Sequence, residues 1–314
     1  MNFKYTLRIL GILLMIFSTA QFLPASVAYY YSEFSLMLVF LYTLIFTFLC
    51  GLVLYVSFSD SKADLRTKDG FIITVLFWLI LSIFGSFPMY FAEDIDISYL
   101  DSLFESISGL TTTGATVITG LDELPRSILF YRQLLQWLGG MGIIVLAIAV
   151  LPLLGIGGMQ LYKAETPGPL KNTKLTPRIT ETAKALWYVY LGMTVCCAAA
   201  YKWFGMSTYD AICHSFSTIS IGGFSTHDEN FGFFTQSSIR WTAVIFMIIS
   251  GINFALHYIA WNKRKLKHYF QDSEVRAYLF ILTCAFGLTY LTLSIYGENQ
   301  GRLLLEESAF QVVS

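Results

Sequence analysis

Apolar runs of about twenty residues recur seven times along this chain, and they decide most of what it can fold into. A helix needs about 20 mostly apolar residues to cross a bilayer. Segments at roughly 7–29, 34–58, 70–92, 128–155, 185–204, 239–261 and 275–296 meet that need. Only 13% of the 314 residues are charged, against about 25% in soluble domains, so too few are available to cover a water-facing surface. The predicted fold class is an all-α polytopic membrane protein. The first run has a basic start and ends in ASVA, as a signal peptide would, but its apolar character continues past Ala28 and it reads as a retained span.

Basic residues set the orientation. With the N-terminus inside and the spans alternating, fifteen lysines and arginines lie inside, among them Lys4, Arg8, Lys62, Lys171 and Lys263. Arg126, Arg132, Lys202, Arg240 and Arg302 form the outside set of five. Such an excess is what the positive-inside rule describes. It places the stretch GLTTTGAT, residues 109–116, on the outer side between the third and fourth spans.

That stretch follows SYLDSLFESISGL, which is apolar but too short to cross and is of the kind that re-enters a membrane. A shift of 109 residues lays DSLFESISGLTTTGAT (101–116) over DAICHSFSTISIGGFS (210–225) without a gap. Asp101 meets Asp210, Ser106 meets Ser215, Gly114 meets Gly223 and Thr116 meets Ser225. A third unit starts at ESAFQVVS (307–314), and six further residues would bring it to the matching glycine. The chain therefore divides into a two-helix segment (1–58), a first span–pore-helix–span repeat (59–158), a second (159–262) and the start of a third (263–314).

Close packing of small residues explains glycines within spans, such as those of WLGGMGIIV. It does not explain a polar tetrad after a short helix, twice, on the same side. Rings of backbone carbonyls can replace the water around a cation, and glycine admits backbone angles that other residues resist. A helix C-terminus carries about half a negative charge that favours a cation. The loops are thus short of functional side chains because the backbone is the functional group.

The order of spans, the TTTGAT and ISIGGFST loops, and the segments FYRQLLQWLGGMGIIVLA and MQLYKAETPGPLK resemble the TrkH family, the potassium-translocating subunits of bacterial Trk systems within the Trk/Ktr/HKT superfamily. The resemblance covers the whole chain. It implies four span–pore-helix–span repeats around one path for K+, with two repeats complete here and a third begun, as in a truncated member. Carried onto this sequence, it implies coordination by Thr111, Thr112, Thr113 and Gly114 in the first loop and by Ser220, Ile221, Gly222 and Gly223 in the second. Thr112, Thr113, Ile221 and Gly222 would form the central pairs. Because Gly222 and Gly223 are adjacent, the second register can slip by one. The resemblance further implies residence in the bacterial inner membrane, a homodimer, and gating by a cytosolic nucleotide-binding TrkA-type subunit, with no cofactor beyond the transported ion and no nucleic acid.

Other features have two readings. The loop 160–184 meets a cytosolic regulator or is merely solvated. The stretch 261–274 meets anionic lipid heads or water. Asp122, Glu123, Asp228 and Glu229 concentrate cations at an outer mouth or simply face solvent. Glu105 and His214 occupy matching places in the two short helices, where they brace the loops or face water; the cost of an unpaired polar group at that depth favours bracing. Cys50, Cys196, Cys197, Cys213 and Cys284 form no C-x-x-C and are expected to be reduced thiols. The four histidines lack metal-ligand spacing, and no triad or phosphate loop points to catalysis. A coupled symporter and a non-transporting scaffold are the rival functional classes. Intramembrane carboxylates mark proton routes, and their near absence here disfavours proton coupling.

Overall fold

The computed structural model describes residues 3–59, 67–142, 179–296 and 301–314. Among these residues the regular structure is helical and no strand is present. Helices α1 (Phe3–Ala20) and α2 (Phe22–Tyr30) form one crossing broken at Gln21, and α3 (Phe34–Ser57) returns beside it. Ile9, Leu10, Leu13, Leu14 and Phe17 of α1 are buried in the main core with Phe40 of α3 and Phe77 and Leu81 of α4 (Thr67–Tyr90). The first apolar run is therefore an integral part of the packing.

Among the described residues four stretches are long and apolar enough to cross a membrane: Phe3–Tyr30, Phe34–Ser57, Ile72–Tyr90 and α12 (Ser273–Tyr296). The most apolar window of α12 has none of its residues buried, so Phe280, Ile281, Leu288 and Leu291 face outward. The expected span at 185–204 lies in the 25-residue helix α7 (Ile179–Trp203). The expected span at 128–155 begins as α6 (Arg126–Trp137) and widens into a π-helical turn at Leu138–Gly142. The remainder of that span and most of the loop 160–184 lie outside the described residues.

The run at 239–261 is not one straight span. It forms α9 (Ser237–Ser250) and α10 (Phe254–Lys263), bent by 90°. Asn253 caps α10, its Oδ1 accepting from Ala255 N at 3.0 Å. The carbonyl oxygens released at the end of α9 find protein partners: Tyr278 donates to Ile248 O at 3.4 Å, and His257 Nε2 lies 3.0 Å from Ile249 O. Backbone that leaves a helix at membrane depth needs such partners. After α10 comes the short α11 (Lys267–Gln271), where Leu266 and Phe270 are exposed.

Candidate functional site

Two short helices, α5 (Tyr99–Leu110) and α8 (Thr208–Ser220), start in the same way. Ser98 Oγ accepts from Asp101 N at 3.2 Å, and Ser207 Oγ accepts from Asp210 N at 3.0 Å. Each Asp carboxylate in turn accepts from its serine's hydroxyl. N-cap bonds of this kind fix where a helix begins. At 12 and 13 residues and 1.5 Å per residue, the helices reach only about 20 Å, less than the thickness of a bilayer core.

They also end in the same way, 109 residues apart. Thr113 N donates to Ser108 O at 2.9 Å, and Gly222 N donates to Ser217 O at 2.8 Å. The residue before each donor is left-handed, Thr112 at φ 54° and Ile221 at φ 53°, and the glycine that follows is left-handed again, Gly114 at φ 76° and Gly223 at φ 84°. The 6→1 bond with a left-handed residue is the Schellman ending, usually built on glycine. A β-branched residue there costs about 1–2 kcal/mol, and strain of this sort gathers at functional sites. The gapless register of the sequence repeat is thus the register of the backbone.

The hydroxyl groups at the helix ends turn back. Thr111 Oγ1 donates to Ile107 O at 2.7 Å and Ser220 Oγ to Phe216 O at 2.8 Å. Beyond them the two loops touch. A Cβ added to Gly114 would lie 2.1 Å from the Gly222 carbonyl oxygen. A cavity of about 590 Å³ opens beside this contact, lined by Thr113, Gly114, Ile221, Gly222 and Gly223 and reached by Glu306 and Phe310 of α13 (Arg302–Val313). Glu306 is held there by Arg240 Nη1 at 3.0 Å and by the Ser237 hydroxyl.

Helix α6 carries both loops. The buried Arg132 pairs through Nε with Glu105 Oε2 at 3.2 Å, donates to Thr116 Oγ1 at 2.9 Å and to Ser225 O at 3.4 Å, and lies over the Phe224 ring. The other oxygen of Glu105 accepts from Thr116 Oγ1, from Val117 N at 2.8 Å and from Ile118 N at 3.2 Å. In the second repeat His214 Nε2 lies 3.0 Å from Ser225 Oγ, and its Nδ1 lies 3.0 Å from Asp210 O. Glu105 and His214 therefore brace matching loop positions, one as a charged pair and one as a ring. Gln136 grips the second loop, donating to Gly222 O at 2.6 Å and accepting from Phe224 N at 3.1 Å. Gly139, in the π-helical turn, packs directly on Leu110 O, and the Trp137 carbonyl accepts from Tyr190 OH at 2.9 Å.

The segments that follow the two loops are joined as well. Asp122 Oδ1 pairs with His227 Nδ1 at 2.5 Å, its Oδ2 accepts from Asp228 N at 3.3 Å, and Asp228 Oδ1 accepts from Gly120 N at 3.0 Å. The hydrogen bond from His227 holds the Asp122 carboxyl below the usual carboxylate range. Both aspartates thus have a structural task, joining the first segment to the second.

With two matched helix-and-loop units in contact at their glycines, comparison with known proteins is decisive. The family model for TrkH, described as a cation transport protein, matches residues 37–296. The chain belongs to the TrkH family. It is 49% identical over 314 residues to the Trk system potassium uptake protein TrkH of Halomonas elongata, and 46% identical over 315 residues to that of Escherichia coli K12. Each alignment covers 100% of this chain and 65% of the relative. The crystal structure of the potassium transporter TrkH from Vibrio parahaemolyticus aligns with a TM-score of 0.86 at 46% identity, over 100% of this chain and 64% of that one. The chain therefore spans about 65% of the length of the curated relatives it matches.

Within this TrkH-family chain, five of the eight residues expected at the loops, Thr113, Gly114, Ile221, Gly222 and Gly223, line the cavity where the two units meet; Thr111, Thr112 and Ser220 lie at the ends of the two short helices beside it. Arg132 and Arg240, both counted with the outside set, each pair with a carboxylate on another helix, Glu105 or Glu306. Gln136 was not among the expected residues. Its only mark in the sequence is its place on a span that already carries Arg132, one turn away.

Proposed function

We propose that the two loops line a channel-like path through which potassium crosses a bacterial inner membrane. Carbonyl oxygens of Thr111, Thr112, Thr113 and Gly114, and of Ser220, Ile221, Gly222 and Gly223, replace the water around the ion. The observation that carries this reading is the pair of loops with one backbone trace, each at the C-terminal end of a short helix and in contact at Gly114 and Gly222. Those helix ends favour a cation, and carbonyls in such an arrangement can stand in for hydration. The relatives' names as potassium uptake proteins point to the same ion. Two of these carbonyls already accept one bond, Gly222 O from Gln136 and Gly223 O from Asn230 Nδ2 at 3.1 Å. A carbonyl keeps a second lone pair for a cation.

The reading extends to the whole protein. Residues 59–158 and 159–262 act as two repeats, and residues 263–314 begin a third, following the two-helix segment 1–58. The N-terminus is cytoplasmic. Two copies assemble, and a cytosolic nucleotide-binding TrkA-type subunit gates them. The full-length protein in sealed vesicles should take up Rb+, as a tracer for K+, at the same rate with and without an inward Na+ or H+ gradient. Uptake that requires either gradient would replace the channel-like path with coupled symport, and no uptake under any gradient would leave a non-transporting membrane protein.

A further inference from the structure

Gly222 and Gly223 are adjacent, and each is glycine for its own reason. Gly223 occupies the left-handed position that matches Gly114. Gly222 does not have a left-handed backbone; it corresponds to Thr113, which carries a side chain. A Cβ on Gly222 would sit 2.4 Å from Cδ of Gln136. The side-chain amide of Gln136 thus fills the space that a side chain at 222 would take. It is fully buried and uses both ends, the NH2 on Gly222 O and the oxygen on Phe224 N. Among the described residues no side-chain amide grips the first loop in this way, and the residue 109 positions after Gln136 is the apolar Ile245.

We infer that Gln136 is a specificity-determining positioning residue: it touches no ion, but sets how far the Gly222 carbonyl can turn and so how well the path separates K+ from Na+. This rests on the proposed cation path. Gly222 O lies between two fixed neighbours, the Gln136 NH2 at 2.6 Å and the backbone of Gly114 on the facing loop. A smaller cation demands that carbonyls close in further, and the bond from Gln136 opposes that movement. Because the Gln136 amide also holds Phe224 N, one side chain spans the loop on both sides of the Gly223 turn.

The test measures Rb+ and Na+ uptake by the full-length protein and by Gln136→Met, which keeps the volume and removes both hydrogen bonds. A net bond of about 1 kcal/mol corresponds to about fivefold, and the Rb+/Na+ ratio is expected to fall by about that factor while Rb+ uptake persists. An unchanged ratio would overturn the proposal. A companion pair covers the case in which Gln136→Met does not accumulate. Gly222→Ala should lower the thermal midpoint of the purified protein, and adding Gln136→Ala should restore it, because the clash is with that one amide. The double variant should show the lowered ratio; restored stability with a wild-type ratio overturns the role in specificity, and no restoration overturns the contact. Wild-type protein that moves neither ion contradicts the cation path itself, and the role of Gln136 falls with it.

Discussion

Replacing Gly114 by alanine is expected to reduce Rb+ uptake by the full-length protein at least about tenfold. Two effects add. The residue sits at φ 76°, where a side chain costs about 1–2 kcal/mol. The new Cβ would also lie 2.1 Å from the Gly222 oxygen and 3.1 Å from its carbon, well inside an ordinary contact of about 3.5 Å. The backbones of the two loops must separate, and a penalty of about 1.4 kcal/mol already amounts to tenfold. Gly120 separates strain from clash. It is left-handed at φ 72° but an added Cβ there meets nothing within 4 Å, so Gly120→Ala should carry the strain and transport nearly normally. Uptake by Gly114→Ala equal to that of Gly120→Ala would show that contact between the loops is irrelevant to the path.

Breaking the Glu105–Arg132 pair is expected to have the largest effect on stability. Both side chains are buried, at 0% and 1% exposure, and between them they hold Thr116, Val117, Ile118 and the Ser225 carbonyl. Glu105→Gln leaves the Arg132 charge without its anion, which costs about 3–5 kcal/mol for a buried pair. His214, at the matching place, brings hydrogen bonds but no ion pair, so His214→Gln should cost only about 1 kcal/mol. Thermal midpoints in detergent check this order. A double variant, Glu105→Gln with Arg132→Met, removes both charges and should be more stable than Glu105→Gln alone. Equal losses for Glu105→Gln and His214→Gln would show that the charge is not what braces the first loop.

The loops themselves were legible because their constraint is local. A backbone that turns left-handed at matching places favours glycine at Gly114 and Gly223, and these survive with Asp101 and Asp210 as a repeat at one spacing; the N-cap serines before those aspartates emerge only in the structure. The bend at Gly251–Asn253 was hidden because apolarity runs on across it, so hydropathy reads α9 and α10 as one run; the cap at Asn253 and the glycine before it were its only traces. Counting charges along the sequence does not reveal that Arg132 is buried against a carboxylate 27 residues away on another helix. The adjacent glycines at 222 and 223 left the register open in the sequence. The structure resolves it, since one glycine answers to backbone angle and its neighbour to the Gln136 side chain.

The most direct measurement is the position of a heavy monovalent cation. Crystals of the full-length protein grown in Rb+ or Tl+ should give anomalous density between residues 111–114 and 220–223, within coordinating distance of backbone oxygens from both loops. Ordered cations found only at carboxylate side chains, with none between these two loops, would contradict coordination by the main chain.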